Sequence, residues 1–226
     1  MANLMALAVA PVLIGLFYIF IRDKYEKEPW GLLIIGLFYG ALSIFPIMQI
    51  EIFITSFMPH LSSFGEALYT AFLVAALTEQ ALRFVILYFL VWINKEFNEP
   101  MDGIVYAVFI SLGFAGVENV LYVFNPSLGG IETALMRAII SVPAHGLFGI
   151  IMGYHFAMAK FENNKKYLLG AFLIPWGIHG LYDAIVLSGH RLYLLALSPL
   201  IIWLWISGLR KIKLYLDISP FKRLDK

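Results

Sequence analysis

Five ionisable side chains and one arginine lie well inside apolar stretches of the sequence, and their types suit the hydrolysis of a carbonyl group. They are Glu79, Glu118, His145, His179 and Asp183, together with Arg83. A charged group at the centre of a membrane helix costs roughly 2.5–3.5 kcal/mol on insertion scales, so each is a functional candidate. Glu79 and Arg83 are four positions apart, as are His179 and Asp183, which places each pair on one helix face.

This set of side chains is suited to the attack of an activated water on a carbonyl. Glu79 is the expected general base, kept ionised by Arg83 because a nearby positive charge favours the carboxylate form. Glu118 is expected to share the water or to pass a proton to the leaving amine. His145 and His179 would donate hydrogen bonds to the developing oxyanion, and Asp183 would fix the tautomer of His179. No serine or threonine stands out as an activated nucleophile, which argues against a covalent route.

Metal ligation is an alternative role for the same atoms, since glutamate, histidine and aspartate suit zinc and similar divalent ions. The H-E-x-x-H motif of many zinc proteases is absent, so no cofactor is firmly implied. If a metal is present, its ligands are expected among Glu79, Glu118, His145, His179 and Asp183. Three further charged residues are expected to have interfacial or packing roles: Glu51, Glu132 and Arg137.

The composition places these residues in a membrane protein. The chain has 226 residues, of which 61% are hydrophobic and 14% charged, whereas a soluble domain is about half apolar and a quarter charged. There is no cysteine, which excludes disulfides, thiolate metal sites and thiol nucleophiles. We expect one transmembrane domain over residues 1–209, followed by a basic cytoplasmic tail over residues 210–226, with the lipid bilayer and not nucleic acid as its surroundings.

Seven apolar stretches are each long enough to cross about 30 Å of hydrocarbon as a helix, which predicts an all-α, polytopic bundle. The predicted spans are Leu4–Ile21, Gly31–Met58, Gly65–Asn94, Gly103–Phe124, Thr133–Ala159, Tyr167–Leu187 and Leu192–Gly208. Pro143 and Pro175 shortly precede His145 and His179, and they predict local helix breaks beside a water-filled cavity. Five candidates on four consecutive helices together cost about 10 kcal/mol or more, which favours function over structure.

Basic residues in the connections predict that the N-terminus is outside and the C-terminus inside. On that orientation the outer connections hold only Arg191, while the cytoplasmic segments hold Arg22, Lys24, Lys27, Lys95, Lys160, Lys165, Lys166, Arg210, Lys211, Lys213, Lys222, Arg223 and Lys226. At 1.5 Å per residue, Glu79, Glu118, His145 and His179 then lie between the outer interface and the midplane. We therefore expect one cluster in a cavity that faces the extracytoplasmic side of the cell membrane.

Five motifs occur in order along the chain: Glu26-Lys27-Glu28-Pro29, Asn98-Glu99-Pro100-Met101-Asp102-Gly103, Gly113-Phe114-Ala115-Gly116-Val117-Glu118-Asn119, Pro143-Ala144-His145-Gly146 and His179-Gly180-Leu181-Tyr182-Asp183. Together they resemble the PrsW family of bacterial intramembrane proteases over nearly the whole chain. The resemblance implies a site-1 protease that clips a single-span, membrane-anchored anti-sigma factor on its extracytoplasmic side and so starts the release of a stress sigma factor.

The PrsW family is similar in turn to the CAAX prenyl protease and bacteriocin-processing group, in which a glutamate activates water within a membrane cavity. On that analogy Glu79 is the activating glutamate and Glu118 occupies the second motif. The other three candidates then complete the site: His145, His179 and Asp183.

Residue 80 departs from the family pattern, which is a pair of adjacent glutamates followed by a basic residue. This chain reads Glu79-Gln80-Ala81-Leu82-Arg83. Gln80 has the shape of glutamate but carries no charge and cannot act as a base. If the second glutamate of the pair carries the chemistry, this chain is inactive. We expect instead that Glu79 is the base and that Gln80 supports it.

Three functions are consistent with these residues. The leading one is an intramembrane endopeptidase. A proton- or ion-coupled transporter is the second, since buried Glu, His and Asp also build proton relays, although we find no internal repeat of the kind that many transporters have. A non-catalytic membrane scaffold of the same fold is the third, and Gln80 gives it some support.

Overall fold

The computed structural model describes residues 1–189 and 191–222, and the regular structure within them is helical throughout. In this part of the chain, seven helical segments are long and apolar enough to cross a membrane: Asn3–Arg22, Trp30–Thr55, Ser63–Val91, Pro100–Val123, Ile131–Phe161, Lys166–Leu187 and Leu195–Asp217. The predicted number of spans is thus confirmed. The last helix continues to Asp217, so the predicted basic tail begins as helix. Arg223 and Lys226 of that tail lie outside the described residues.

Several spans are divided into shorter helices. The helices are α1 (Ala2–Arg22), α2 (Trp30–Leu42), α3 (Ile44–Thr55), α4 (Ser63–Tyr69), α5 (Leu77–Val91), α6 (Pro100–Val123), α7 (Ile131–Met136), α8 (Val142–Phe161), α9 (Lys166–Leu187) and α10 (Arg191–Asp217). A π-helical segment, Thr70–Ala76, joins α4 to α5, and a second one, Arg137–Ser141, joins α7 to α8. In a π-helix the hydrogen bonds run from i to i+5, and such segments are frequent at functional sites.

Helix α6 is the centre of the bundle and is buried from Pro100 to Ala115. Such a helix must be apolar on nearly all sides, and apart from Asp102 and Ser111 its buried stretch is. Helices α1, α2, α5 and α8 pack around it. The closest approaches occur at glycines: a Cβ built on Gly153 would lie 2.1 Å from the carbonyl oxygen of Gly103, and one on Gly40 would lie 2.1 Å from that of Ile110. Small residues here allow the helix backbones to touch.

The helix breaks have different local causes. In the second span, Pro46 has no N–H to donate to Leu42 and its ring crowds that carbonyl, so α2 ends at Leu42. A local change in the helix was predicted at Pro143, and one is found there: Pro143 lies at the start of α8, just after the π-helical segment Arg137–Ser141. The break predicted at Pro175 is not observed, since α9 runs through it. The π-helical segment Thr70–Ala76 contains no proline, and nothing in the sequence predicted it.

Candidate active site

All five predicted candidates line one cavity. They come together because the first turns of α5 and α8 lie beside the last turns of α6 and α9. The cavity has a volume of about 440 Å³, and its polar lining consists of Glu51, Thr70, Glu79, Glu118, Tyr122, Asn125, Arg137, Ser141, His145, His179, Tyr182 and Asp183. The side chains of Glu79 and His179 are only 6% and 3% exposed, whereas that of Asp183 is 19% exposed. The cavity therefore extends from a buried carboxylate to the exposed ends of α6 and α9.

Glu79 and Arg83 form the predicted ion pair on one face of α5. Nη2 of Arg83 lies 2.5 Å from Oε2 of Glu79, and Nε donates to the backbone carbonyl of the same residue at 3.0 Å. The guanidinium is fully buried and also lies over the ring of Phe114. Arg83 does not line the cavity itself. It holds the Glu79 carboxylate from the protein side and leaves it facing the cavity.

His145 connects Arg83 to a second carboxylate. Nη1 of Arg83 lies 3.2 Å from Nδ1 of His145, and Nε2 of that ring lies 3.1 Å from Oε2 of Glu118. Because a guanidinium can only donate, Nδ1 must accept, and the ring proton then lies on Nε2 and is donated to Glu118. Of the two imidazoles predicted to stabilise an oxyanion, His145 thus already directs its N–H at a protein group.

Glu118 is held from its other side by Arg137. Nη2 of Arg137 lies 2.7 Å from Oε2 of Glu118, and its Nε donates to Oδ1 of Asn119 at 2.9 Å. The amide of Asn119 in turn donates to the carbonyl of Ala8 at 2.8 Å, which ties α6 to α1. Glu118 is therefore a positioned carboxylate with two donors, and not a mobile group at the cavity mouth.

His179 lines the cavity and contacts three other residues of the site. Its Nε2 lies 3.1 Å from Oδ2 of Asp183 and 3.9 Å from Oε2 of Glu79. On the opposite edge of the ring, Nε2 of Gln80 lies 3.2 Å from Nδ1. The ring stacks on Phe148, with the two centroids 4.7 Å apart. Both ring nitrogens are thus addressed by side chains that can fix the tautomer and orientation of His179.

The donor atoms fit a divalent metal such as zinc. Glu79, His145 and His179 offer ligand atoms that all lie within 4.8 Å of one another, and one carboxylate with two imidazoles is a ligand set of zinc hydrolases. Glu118 and Asp183 lie beside this group. Arg83 contacts Nδ1 of His145 and Oε2 of Glu79, so an ion would be bound through the other atoms of these residues or would displace the guanidinium.

Arg137 and Glu51 were expected to have interfacial or packing roles, and the structure corrects this prediction. Both line the cavity: Arg137 pairs with Glu118, and Oε1 of Glu51 accepts a hydrogen bond from the Thr78 hydroxyl at 3.3 Å. Each lies near the end of a predicted span, which suggested the interface. The cost of burying a charge applies to them too and could have identified them. Glu132, in contrast, is exposed.

Comparison with known proteins identifies the family of this chain. Residues 28–206 match the family described as PrsW family intramembrane metalloprotease. Protease PrsW of Oceanobacillus iheyensis is 41% identical over 216 residues, which cover 94% of this chain and 96% of that protein. The Geobacillus kaustophilus protein of the same name is 40% identical over 216 residues, with 94% and 92% covered.

A third relative, Protease PrsW of Bacillus subtilis, is 35% identical over 218 residues, with 94% of this chain and 95% of that protein covered. No solved structure gave a match. The family match covers most of the chain, and the relatives align over nearly their whole length. This multi-pass membrane protein therefore belongs to the PrsW family of intramembrane proteases.

Proposed function

We propose that this chain is an active intramembrane endopeptidase that hydrolyses a peptide bond with water activated by Glu79. One observation carries the proposal: the Glu79 carboxylate faces the deep end of the cavity while Arg83 holds it from behind at 2.5 Å. A guanidinium beside a carboxylate favours its ionised form, which is the form that can accept a proton. Gln80, the residue that departs from the family pattern, does not line the cavity.

The neighbouring side chains support a proton path for this reaction. Glu79 would take a proton from the attacking water, and the new bond to the carbonyl carbon would place negative charge on the carbonyl oxygen. His179 would carry its proton on Nε2, the nitrogen 3.1 Å from Oδ2 of Asp183, and would redirect this N–H from the carboxylate to the developing oxyanion. The proton on Glu79 would then pass to the leaving amine, directly or by way of Glu118, as the peptide bond breaks.

A metal is part of the proposal because the family description names a metalloprotease. Glu79, His145 and His179 would hold it, with Glu118 and Asp183 as neighbours. When bound, the ion would supply Lewis-acid polarisation of the scissile carbonyl. Asp183 and Gln80 would orient His179 with or without the ion. A ligating imidazole also needs a hydrogen bond to its other nitrogen.

We infer that the substrate is a single-span membrane protein of the anti-sigma-factor type, cut in the bacterial cell membrane on the extracytoplasmic side. Support comes from the resemblance and from the position of the cavity mouth at Asn125 and Leu187, near the ends of α6 and α9. Both ends are extracytoplasmic on the orientation that the basic residues predict. The apolar part of the lining suits an extended segment next to a membrane anchor.

Cleavage by the purified chain in nanodiscs tests the proposal. The substrate is a single-span protein with an exposed extracytoplasmic segment, and the wild type should cut it at a defined bond. Glu79→Ala should abolish cleavage, whereas Glu66→Ala, an exposed glutamate of the same span, should not change it. Treatment with chelator and then zinc distinguishes metal-assisted from metal-free hydrolysis. Loss of cleavage with chelator and its recovery with zinc indicate metal assistance. Unchanged cleavage indicates water activation by Glu79 alone.

The same preparation distinguishes the alternatives. Cleavage by Glu79→Ala would refute the assignment of the base. Proton or ion uptake into liposomes without cleavage would favour a transporter. A wild type that neither cleaves nor transports, but that gains cleavage on Gln80→Glu, would identify the natural chain as a non-catalytic member of the family.

A further inference from the structure

A second group of buried carboxylates lies where α1 ends and where α2 and α6 begin. Asp23, Glu28, Glu99 and Asp102 are each at most 2% exposed, and Glu26 is partly buried. On α6, Asp102 precedes Glu118 by 16 residues, or about 24 Å at 1.5 Å per residue. This acidic cluster is therefore remote from the candidate active site. It also unites two motifs that the proposed chemistry does not use, Glu26–Pro29 and Asn98–Gly103.

Each of three carboxylates in the acidic cluster has one oxygen held by the protein and one without a partner. Oδ2 of Asp102 accepts backbone N–H groups from Asn98 and Glu99 at 2.8 and 2.7 Å, and its Oδ1 is unpartnered in the described structure. This places a buried, rotationally fixed carboxylate with a free oxygen at the start of α6.

Glu28 and Asp23 repeat the pattern. Oε2 of Glu28 accepts the hydroxyl of Tyr106, and Oδ2 of Asp23 accepts the backbone N–H of Glu28 at 3.4 Å. The other oxygen of each carboxylate, Oε1 and Oδ1 respectively, has no partner in the described structure. A buried acceptor left unsatisfied costs about 1–3 kcal/mol, and more when charged. Three such oxygens lie in one place, and either a bound cation or a proton shared by the adjacent Glu28 and Asp102 carboxyl groups would satisfy them.

Lys27 and Lys160 interact electrostatically with Asp23 and Asp102, but neither lysine pairs directly with a carboxylate of this cluster. In the described residues none of its carboxylates forms an ion pair. The ammonium of Lys27 donates to the carbonyl of Phe20, and that of Lys160 donates to the carbonyl of Phe97 at 2.7 Å. Burial raises the pKa of Asp23 to about 7 and also raises the pKa of Glu28, because removal from water disfavours the charged form.

We propose that Glu26, Glu28 and Asp102 bind a hard divalent cation, Ca²⁺ or Mg²⁺, that joins the connection between α1 and α2 to the start of α6. One oxygen from each lies within 4.8 Å of the others. An ion with oxygen ligands at about 2.3–2.6 Å spans at most about 5 Å between opposite ligands. All the donors are oxygens, which favours these ions over zinc. Asp23 lies beside the site as a further carboxylate.

Metal depletion and refilling of the full-length protein in zwitterionic nanodiscs tests this site. After treatment with chelator, Tb³⁺ should bind and emit when excited through Tyr106, and Ca²⁺ should displace it. Ca²⁺ or Mg²⁺ at a hundredfold excess over its dissociation constant should raise the unfolding temperature by about 5–10 °C. A wild type that shows neither the emission nor the shift would overturn the proposal and leave protons as the occupants.

Two variants locate the ion. Glu28→Gln and Asp102→Asn should lose at least tenfold in Tb³⁺ affinity, whereas Glu79→Gln, in the candidate active site, should keep it. Emission lost only in Glu79→Gln, or unchanged in both cluster variants, would place the ion elsewhere and contradict the proposal. If either cluster variant fails to fold, Tb³⁺ emission from Glu79→Gln, which lacks one ligand of the candidate active site, decides between cation and protons.

Discussion

Nε2 of Gln80 lies 3.2 Å from Nδ1 of His179, while Oε1 of the same buried amide has no partner in the described structure. Rotation of the amide by 180° exchanges these two atoms without any backbone movement. With the nitrogen toward the ring, Nδ1 accepts and the ring proton lies on Nε2. With the oxygen toward the ring, Nδ1 donates and Nε2 presents a lone pair to the cavity. Residue 80 thus determines whether Nε2 of His179 presents an N–H or a lone pair to the cavity.

Gln80→Glu should retain or raise cleavage, because a carboxyl group of the same shape keeps a hydrogen bond to Nδ1 and so holds the ring of His179 in the same orientation. Gln80→Leu has a similar volume but no polar atom, and it should lower kcat about 10–100-fold, the usual cost of losing a side chain that orients a functional imidazole. Initial rates in nanodiscs measure both. An inactive Gln80→Glu beside a fully active Gln80→Leu would contradict a positioning role for this residue.

Arg83 should be needed for stability as well as for cleavage. Arg83→Met leaves the Glu79 carboxylate buried and unpaired, which should cost about 3–5 kcal/mol and lower the unfolding temperature. The double variant Arg83→Met/Glu79→Gln removes the orphaned charge and should recover most of that stability without recovering cleavage. Thermal unfolding of the two variants and the wild type makes the comparison. A double variant as unstable as Arg83→Met would show that the pair is not the source of the loss.

Gly180 should be required for the π-helical segment before Glu79. A Cβ at position 180 would lie 2.3 Å from Cδ1 of Phe72, and the Phe72 carbonyl accepts the indole N–H of Trp176 at 2.8 Å. Gly180→Ala should therefore displace the segment Thr70–Ala76, with about 1–3 kcal/mol of destabilisation and reduced cleavage. Gly177→Ala on the same helix meets nothing within 4 Å and serves as the control.

Addition of Phe72→Ala to Gly180→Ala should restore part of the stability, because removal of the Phe72 ring leaves room for the methyl group at position 180. If Gly177→Ala and Gly180→Ala have equal effects on unfolding and cleavage, the contact with Phe72 has no special importance.

The location of the candidate site followed from a simple physical rule, while its internal connections did not. Charges are costly in lipid, and this identified Glu79, Glu118, His145, His179 and Asp183 because each lies well inside an apolar stretch. The i, i+4 pairs Glu79–Arg83 and His179–Asp183 were also predicted, since residues four positions apart are neighbours on one face of a helix.

Contacts between helices depend on helical phase, and two features of this chain alter it. The π-helical segments Thr70–Ala76 and Arg137–Ser141 add residues to their turns, which rotates every downstream side chain relative to an ideal α-helix. Arg83 and His145 both lie downstream of such a segment, so an ideal α-helix does not give the direction of their side chains. The acidic cluster was missed for another reason: its residues lie at span ends, where charges are common and cheap.

Membrane orientation is the last testable prediction, and the absence of cysteine makes it simple to measure. Ser127 lies between α6 and α7 and Glu162 follows α8, and both are exposed. In intact cells, an impermeant maleimide should label Ser127→Cys, whereas it should label Glu162→Cys only after permeabilisation, because the basic connections are held in the cytoplasm. The cavity mouth near Asn125 would then be extracytoplasmic and the acidic cluster cytoplasmic. The reverse labelling pattern would place the cavity on the cytoplasmic side and refute cleavage outside the cell, while the fold and the site chemistry would be unaffected.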